Sequence, residues 1–195
     1  MPERVTPADL RLMDVALALA FSGLGTTAPN PSVGCVIAKD GHVIATAVTA
    51  PGGRPHAEAQ ALERAGDAAL GADVYVTLEP CSHHGHTPPC AEALIRSGVA
   101  RVFIASGDPD PRVSGRGVAM LREAGIEVIE GVRQDQGDAL NAGFFSRVRT
   151  GLPLVLQDRR PNIFDADLVP GPDESLDQAI QRLGREGKTR VRIAG

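Results

Sequence analysis

Val74-Tyr75-Val76-Thr77-Leu78-Glu79-Pro80-Cys81 is a continuous run of strand-forming residues that ends on an acid, a proline and a thiol. Such an apolar run reads as a buried strand of an α/β sheet. Open sheets of that class place ligands beyond the carboxyl ends of their strands, so the run delivers Glu79, Pro80 and Cys81 to a site. Upstream, His56-Ala57-Glu58 opens a helical pattern that runs to Ala65. Downstream, Thr87-Pro88-Pro89-Cys90 precedes Ala91-Glu92-Ala93-Leu94-Ile95, which predicts an N-cap at Thr87, a proline-stiffened first turn and then a helix.

The spacing of these residues limits what they can do. Side chains two apart on a helix point roughly 200° away from each other, so His56 and Glu58 cannot both face a metal beside the helix wall. The site must therefore lie off helix starts, where the dipole and free N–H groups also favour thiolate. His56, Cys81 and Cys90 supply one imidazole and two sulfurs, which suits zinc and leaves its fourth tetrahedral position open. An open position implies chemistry, because zinc makes hydroxide available from water near pH 7, and Glu58 stands where it can move protons. Singly, His56 reads as a packed side chain and each cysteine as a small buried hydrophobe. Their order, each at the mouth of a helix, points instead to one zinc per chain.

Composition narrows the partners. A net charge of −4 and 3% aromatic residues leave no basic stripe and few stacking rings, which disfavours nucleic acid and favours a small-molecule substrate. Of three cysteines, two fall to the metal and Cys35 lies in a strand, an arrangement expected in a reducing compartment. Met1-Pro2-Glu3-Arg4 lacks a signal-peptide pattern, and no apolar run reaches the ~20 residues that span a bilayer. A cytoplasmic protein with no membrane contact is expected.

Along the chain, helix and strand alternate. A helix opens at Thr6 or Asp9, carries Leu10, Met13, Leu17 and Ala20 as its apolar stripe and closes at Gly23 to Gly25. Ser32 to Ala38 and Val43 to Val48 form a hairpin about Asp40-Gly41. Beyond Cys90, strands are expected at 101–105 and 127–129, with helices around 117–123 and 134–147. The expected architecture is a three-layer α/β/α sandwich with a mixed sheet over residues 1–150. Residues 151–195 read as a β-α-β tail, with an edge strand at Leu154 to Leu156, an amphipathic helix from Ser175 and a strand from Thr189. That tail is expected to pack on the main domain or on a second subunit.

His-x-Glu followed by Pro-Cys and a second cysteine is the signature of zinc deaminases. The stretches Pro29-Asn30-Pro31-Ser32-Val33-Gly34-Cys35, Tyr75 through Cys90 and Leu140-Asn141-Ala142-Gly143-Phe144 resemble the deaminase half of the bifunctional riboflavin-biosynthesis deaminase/reductase. The likeness covers roughly residues 8 to 153, and the long loop between the two cysteines makes it specific. It implies a cytidine-deaminase-like fold, a homo-oligomer, and deamination of 2,5-diamino-6-ribosylamino-4(3H)-pyrimidinone 5′-phosphate. Glu58 would shuttle protons, and Asn30 would contact substrate or form an Asx-turn between its prolines. Asp108 would stand at the substrate mouth or serve as a turn residue.

Several positions depart from the family pattern. Thr49 stands where a His is usual, His86 where the intercysteine loop usually carries Lys or Arg, and Asp110 where an Asn is usual. Thr49, His83, His86 and Asp110 are accordingly grouped with Asn30 and Asp108 as candidate substrate contacts. Losing a cation and gaining a carboxylate weakens phosphate binding, which keeps open a paralogue acting on another aminopyrimidine or purine. A zinc-binding protein without catalysis is the third reading, opposed by the acid at Glu58. His83, His84 and His86 read as a stiffened loop, not a second metal. The tail looks like disconnected pieces of the reductase half, too little to hold NADPH.

Overall fold

The structure, a computed structural model, describes residues 5–83, 88–110 and 114–194. Helix α1 (Pro7–Ser22) precedes the hairpin β1 (Gly34–Lys39) and β2 (His42–Val48), followed by α2 (Ala57–Ala65) and β3 (Asp73–Leu78). Helix α3 (Cys90–Arg96), β4 (Arg101–Ser106), α4 (Arg116–Glu123), β5 (Glu127–Glu130) and α5 (Gln134–Thr150) complete the main body. The tail adds β6 (Leu154–Asp158), β7 (Ala166–Asp167), α6 (Leu176–Arg185) and β8 (Arg190–Ala194). No described helix is long and apolar enough to cross a membrane.

Thr6 starts α1 as half of a capping box, its hydroxyl accepting from Asp9 N–H while the Asp9 carboxylate accepts from the Thr6 backbone. The hairpin turns through Asp40 and Gly41, both at positive φ, the backbone that two-residue hairpin loops require. The main sheet runs in the order β2-β1-β3-β4-β5. Its β2-β1 and β1-β3 pairs are antiparallel and its β3-β4 and β4-β5 pairs parallel, so the sheet is mixed, as expected.

Alternation along the strands sorts their side chains into two layers. Cys35, Ile37, Val74, Val76, Val102 and Ile104 meet Ala57, Ala61, Leu62, Leu94, Val118 and Leu121 of α2, α3 and α4. Val36, Ala38, Tyr75 and Phe103 meet Met13, Ala16 and Leu17 of α1, with Tyr75 and Phe103 stacked at 4.6 Å between ring centroids. Helices on both faces make the three-layer sandwich. All of these strand residues are at most 2% exposed, which is why β1 and β3 read as unbroken apolar runs.

Two expectations are corrected. The described N-cap of α3 is Pro89, with Cys90 as the first helical residue, so the helix starts later than a cap at Thr87 requires; Thr87 itself lies outside the described residues. The tail is not a bare β-α-β unit but a three-stranded parallel sheet in the order β6-β8-β7. A strand of two residues has too few alternations to be recognised in sequence.

The tail docks on the main body through α5 and α1. Arg147 Nε donates to Gly184 O at 3.3 Å, Arg190 Nη1 to Leu140 O at 3.0 Å and Ser146 Oγ to Leu152 O at 3.0 Å. Ile163 and Phe164 bury themselves against Leu24 at the end of α1.

Candidate active site

His56 is the N-cap of α2 and Glu58 lies in that helix's first turn. The geometry meets the condition set by their spacing, since both side chains leave from the helix start instead of its wall. Cys81 follows the end of β3, and Cys90 opens α3. Two helix starts and one strand end thus converge on one point.

His56 Nδ1 lies 3.4 Å from Cys90 Sγ and 3.7 Å from Cys81 Sγ, and the three candidate ligand atoms are all within 4.8 Å of one another. Zinc bonds of about 2.3 Å to sulfur and 2.0–2.1 Å to nitrogen at a tetrahedral angle require an N···S edge of about 3.6 Å. The observed pair of distances brackets that value, so the donor set fits zinc in both chemistry and size. Cys90 N–H donates to Cys81 Sγ at 3.3 Å, an amide aimed at the sulfur that helps to orient a ligand. Among the described residues this is the one cluster of three such groups.

Electrostatics agree with the geometry. Hydrogen bonding from the Cys90 thiol, aided by His56 and opposed by burial, pulls the Cys81 thiol down to about 4. Cys90 keeps the proton of the pair, raised by its bond to Cys81 and by burial. The Cys81 bond raises His56 against the effect of its burial. Burial is also the main force raising Glu58, whose residue is only 4% exposed.

A cleft of about 250 Å³ opens beside this cluster, just under the ~300–1,000 Å³ usual for ligand sites. Asn30, Thr49, His83, Asp108 and Asp110 all line it, whereas His84 and His86 lie outside the described residues. Their bonding differs. The Thr49 hydroxyl accepts from Val33 N–H at 3.0 Å, tying the end of β2 to the segment before β1. Asn30 Nδ2 donates to Gly53 O at 3.2 Å, which anchors the loop leading to His56. Gly53 has φ of +86°, and a Cβ there would overlap the Asn30 amide, so close approach requires glycine. Asp108 Oδ1 accepts from Asp110 N–H at 2.8 Å, and burial pushes its carboxyl up to about 6 despite that bond.

Glu79 has a different job from its neighbours. Oε1 accepts from Gly117 N–H at 3.1 Å, and Oε2 accepts from Gly115 N–H at 3.0 Å. The carboxylate therefore caps the N-terminus of α4, satisfying donors left over by the helix and opposing its dipole. Gly117 makes this approach possible, because a Cβ there would run into Pro80 O. Sequence reasoning brought Glu79 to the site without giving it a role, and missed Arg54 and Arg147, which line the cleft as well. A carboxylate at the end of a buried strand was the available sign for the first; the two arginines carry no local pattern.

A mixed sheet between helix layers, with an imidazole, two sulfurs and a buried carboxylate gathered at two helix starts, defines the zinc-dependent deaminase class. The model of the cytidine and deoxycytidylate deaminase zinc-binding region matches residues 7–106. The chain is 54% identical over 140 residues to the riboflavin biosynthesis protein RibD of Escherichia coli strain K12, covering 72% of this chain and 38% of that one. It is 48% identical over 141 residues to the diaminohydroxyphosphoribosylamino-pyrimidine deaminase of Buchnera aphidicola subsp. Schizaphis graminum, covering 72% of this chain and 96% of that one. The solved structure of a Thermotoga maritima diaminohydroxyphosphoribosylaminopyrimidine deaminase/5-amino-6-(5-phosphoribosylamino)uracil reductase superposes with a TM-score of 0.85 at 28% identity. That superposition covers 95% of this chain and 80% of that one. The chain belongs to the zinc-binding deaminase family, among the diaminohydroxyphosphoribosylaminopyrimidine deaminases. It spans less than half the length of the RibD relatives it matches.

Proposed function

We propose that this chain hydrolyses the exocyclic amine of 2,5-diamino-6-ribosylamino-4(3H)-pyrimidinone 5′-phosphate, yielding the matching aminouracil and ammonia. The observation that carries the reading is the buried carboxylate of Glu58 lining the cleft beside the cluster of His56, Cys81 and Cys90, of which His56 and Cys81 also line it. The names of the Escherichia coli and Buchnera relatives support the choice of substrate.

In this reading His56 Nδ1 and the sulfurs of Cys81 and Cys90 hold one zinc, which supplies the Lewis acidity that makes hydroxide available from water at neutral pH. Glu58 accepts the first proton the water gives up and delivers it to the ring nitrogen, then takes the second proton of the same water as the carbonyl forms and passes it to the departing amine, which leaves as ammonia. Its burial keeps bulk water from exchanging that proton during the reaction. Asn30, with its Nδ2 committed to Gly53, has its Oδ1 left to accept a hydrogen bond from the substrate. Phe144 and Val148 give the cleft an apolar wall for the ring.

A second reading, deamination of another aminopyrimidine or a purine, rests on Thr49 and Asp110. The first spends its hydroxyl on Val33, and the second brings a carboxylate to the cleft. Residues 1–150 as the deaminase domain, 151–195 as a reductase-like remnant without NADPH, and a cytoplasmic homo-oligomer belong to the same proposal. Ammonia release from the zinc-loaded chain is measured with the riboflavin precursor, cytosine, guanine and their nucleotides, with Glu58→Gln as control. Release from the precursor alone supports the first reading, and release from another base alone replaces it with the second.

A further inference from the structure

The cleft holds two guanidinium groups that the deamination steps above do not use. Arg54 lies in the loop between Gly53 and His56, and its charge is close enough to act on the His56 imidazole. Arg147 lies in the last turns of α5, on the wall that also carries Phe144 and Val148. Both flank the Pro29-Asn30-Pro31 segment. Asn30 is bonded to Gly53, next to Arg54, while a Cβ added at Gly187 would meet both the Pro29 ring and the Arg147 guanidinium.

Neither arginine has a salt-bridge partner among the described residues, although the cleft is also lined by Glu58, Glu79, Asp108 and Asp110. Three of those acids are accounted for elsewhere. Glu79 is saturated by the N-terminus of α4, Asp108 accepts from Asp110, and Glu58 sits with the sulfurs. Arg147 is not a loose surface side chain either. It is partly buried, and its Nε donates to Gly184 O of α6, which fixes one edge of the guanidinium and leaves the remaining donors for the cleft. The cleft therefore brings together the proton shuttle, the candidate metal ligands and two cations without salt-bridge partners among the described residues.

We propose that Arg54 and Arg147 form the anion-binding end of the cleft and hold the phosphate monoester of a phosphoribosyl substrate. The assignment rests on the proposed function and names the residues that select a nucleotide over a nucleoside. It also gives the tail a part in the site, because Gly184 is what steadies Arg147. A cation pair here compensates for Thr49, whose position brings no charge.

The test uses the full zinc-loaded chain, with the riboflavin precursor and its dephosphorylated ribosyl form as substrates. A charge-assisted contact to phosphate corresponds to about ten- to a hundredfold in affinity. Arg54→Ala and Arg147→Ala are each expected to raise KM for the phosphorylated substrate by about that factor, with kcat within about twofold. KM for the dephosphorylated form should not move, and Arg54→Lys should recover part of the loss. Binding of ribose 5-phosphate, followed by calorimetry without turnover, should weaken in parallel.

Equal KM for the two substrates in the wild type, or ribose 5-phosphate binding untouched by both substitutions, overturns the proposal while leaving the deaminase reading in place. Arginine-dependent binding of ribose 5-phosphate in a chain that releases no ammonia from the precursor supports the anion site and removes the proposed reaction. Arg54 is exposed and makes no hydrogen bond among the described residues, so its variant decides the matter even if Arg147→Ala fails to fold.

Discussion

Replacing Glu79 by Gln should unlatch the N-terminus of α4 without touching the reacting groups. Each Glu79 oxygen accepts one close backbone N–H, Gly117 at 3.1 Å and Gly115 at 3.0 Å, and the residue is 5% exposed. Glutamine keeps one acceptor but turns the other position into a donor, which then faces an N–H. The substitution therefore loses one charge-assisted hydrogen bond, worth about 1.5–3 kcal/mol, and leaves one donor unsatisfied at about 1–3 kcal/mol. Partial relaxation of the loop brings the expected loss to about 2–4 kcal/mol. For a chain of this size each kcal/mol shifts Tm by roughly 2–4 °C, so thermal unfolding should fall by about 5–15 °C. The zinc content of the folded protein should be unchanged, since His56, Cys81 and Cys90 keep their own supports. Asp108 and Asp110 lie on the segment that Glu79 holds, so KM should rise more than kcat falls. A Tm within about 1 °C of the wild type would refute the capping role. A collapse of kcat at unchanged Tm would make Glu79 a proton-transfer group instead.

Glu58→Gln should lower ammonia release by roughly 10²–10⁴-fold with metal content and Tm held, as read by a coupled ammonia assay and elemental analysis. Cys90→Ser should lower bound zinc from one equivalent per chain towards none, and chelation should then depress the wild-type Tm to meet the variant's, because binding to the folded state stabilises it. Tyr75→Phe removes a 2.6 Å hydrogen bond from the phenol to the buried Asp9 carboxylate and should cost about 1.5–3 kcal/mol in denaturant unfolding. Asp9 itself is pushed up by burial, but hydrogen bonds from Thr6 and Tyr75 outweigh this and hold it below its usual 3.8. Its depressed folded value means that its stabilisation is complete above about pH 4 and is lost as the pH falls through that lower value. Asp9→Asn should accordingly flatten the acid limb of the stability profile, and an unchanged limb would remove Asp9 from it.

The parts of this molecule that sequence reveals are those in which chemistry or backbone leaves few residue types to choose from. His56, Cys81 and Cys90 are legible because zinc takes few ligands and because helix starts at His56 and Cys90 can be recognised from their neighbours. The Asp40-Gly41 hairpin is legible because its positive φ angles admit few side chains. What escapes is set by partners far along the chain. Glu79 reads as a site residue beside Cys81, yet its bonds go to residues 36 and 38 positions onward, and only the folded α4 supplies them. Arg147 lies in an ordinary α5 pattern until Gly184, 37 residues later, takes its Nε and points the rest of the fork at the cleft. The same holds for the tail, whose strand β7 has only two residues and exists because β8 pairs with it. Local spacing can thus identify the groups that do the chemistry, while the cations that would sort one substrate from another are placed by tertiary contacts. Departures at Thr49 and Asp110 cannot be judged position by position, because a charge missing at one wall of a cleft can be supplied from another.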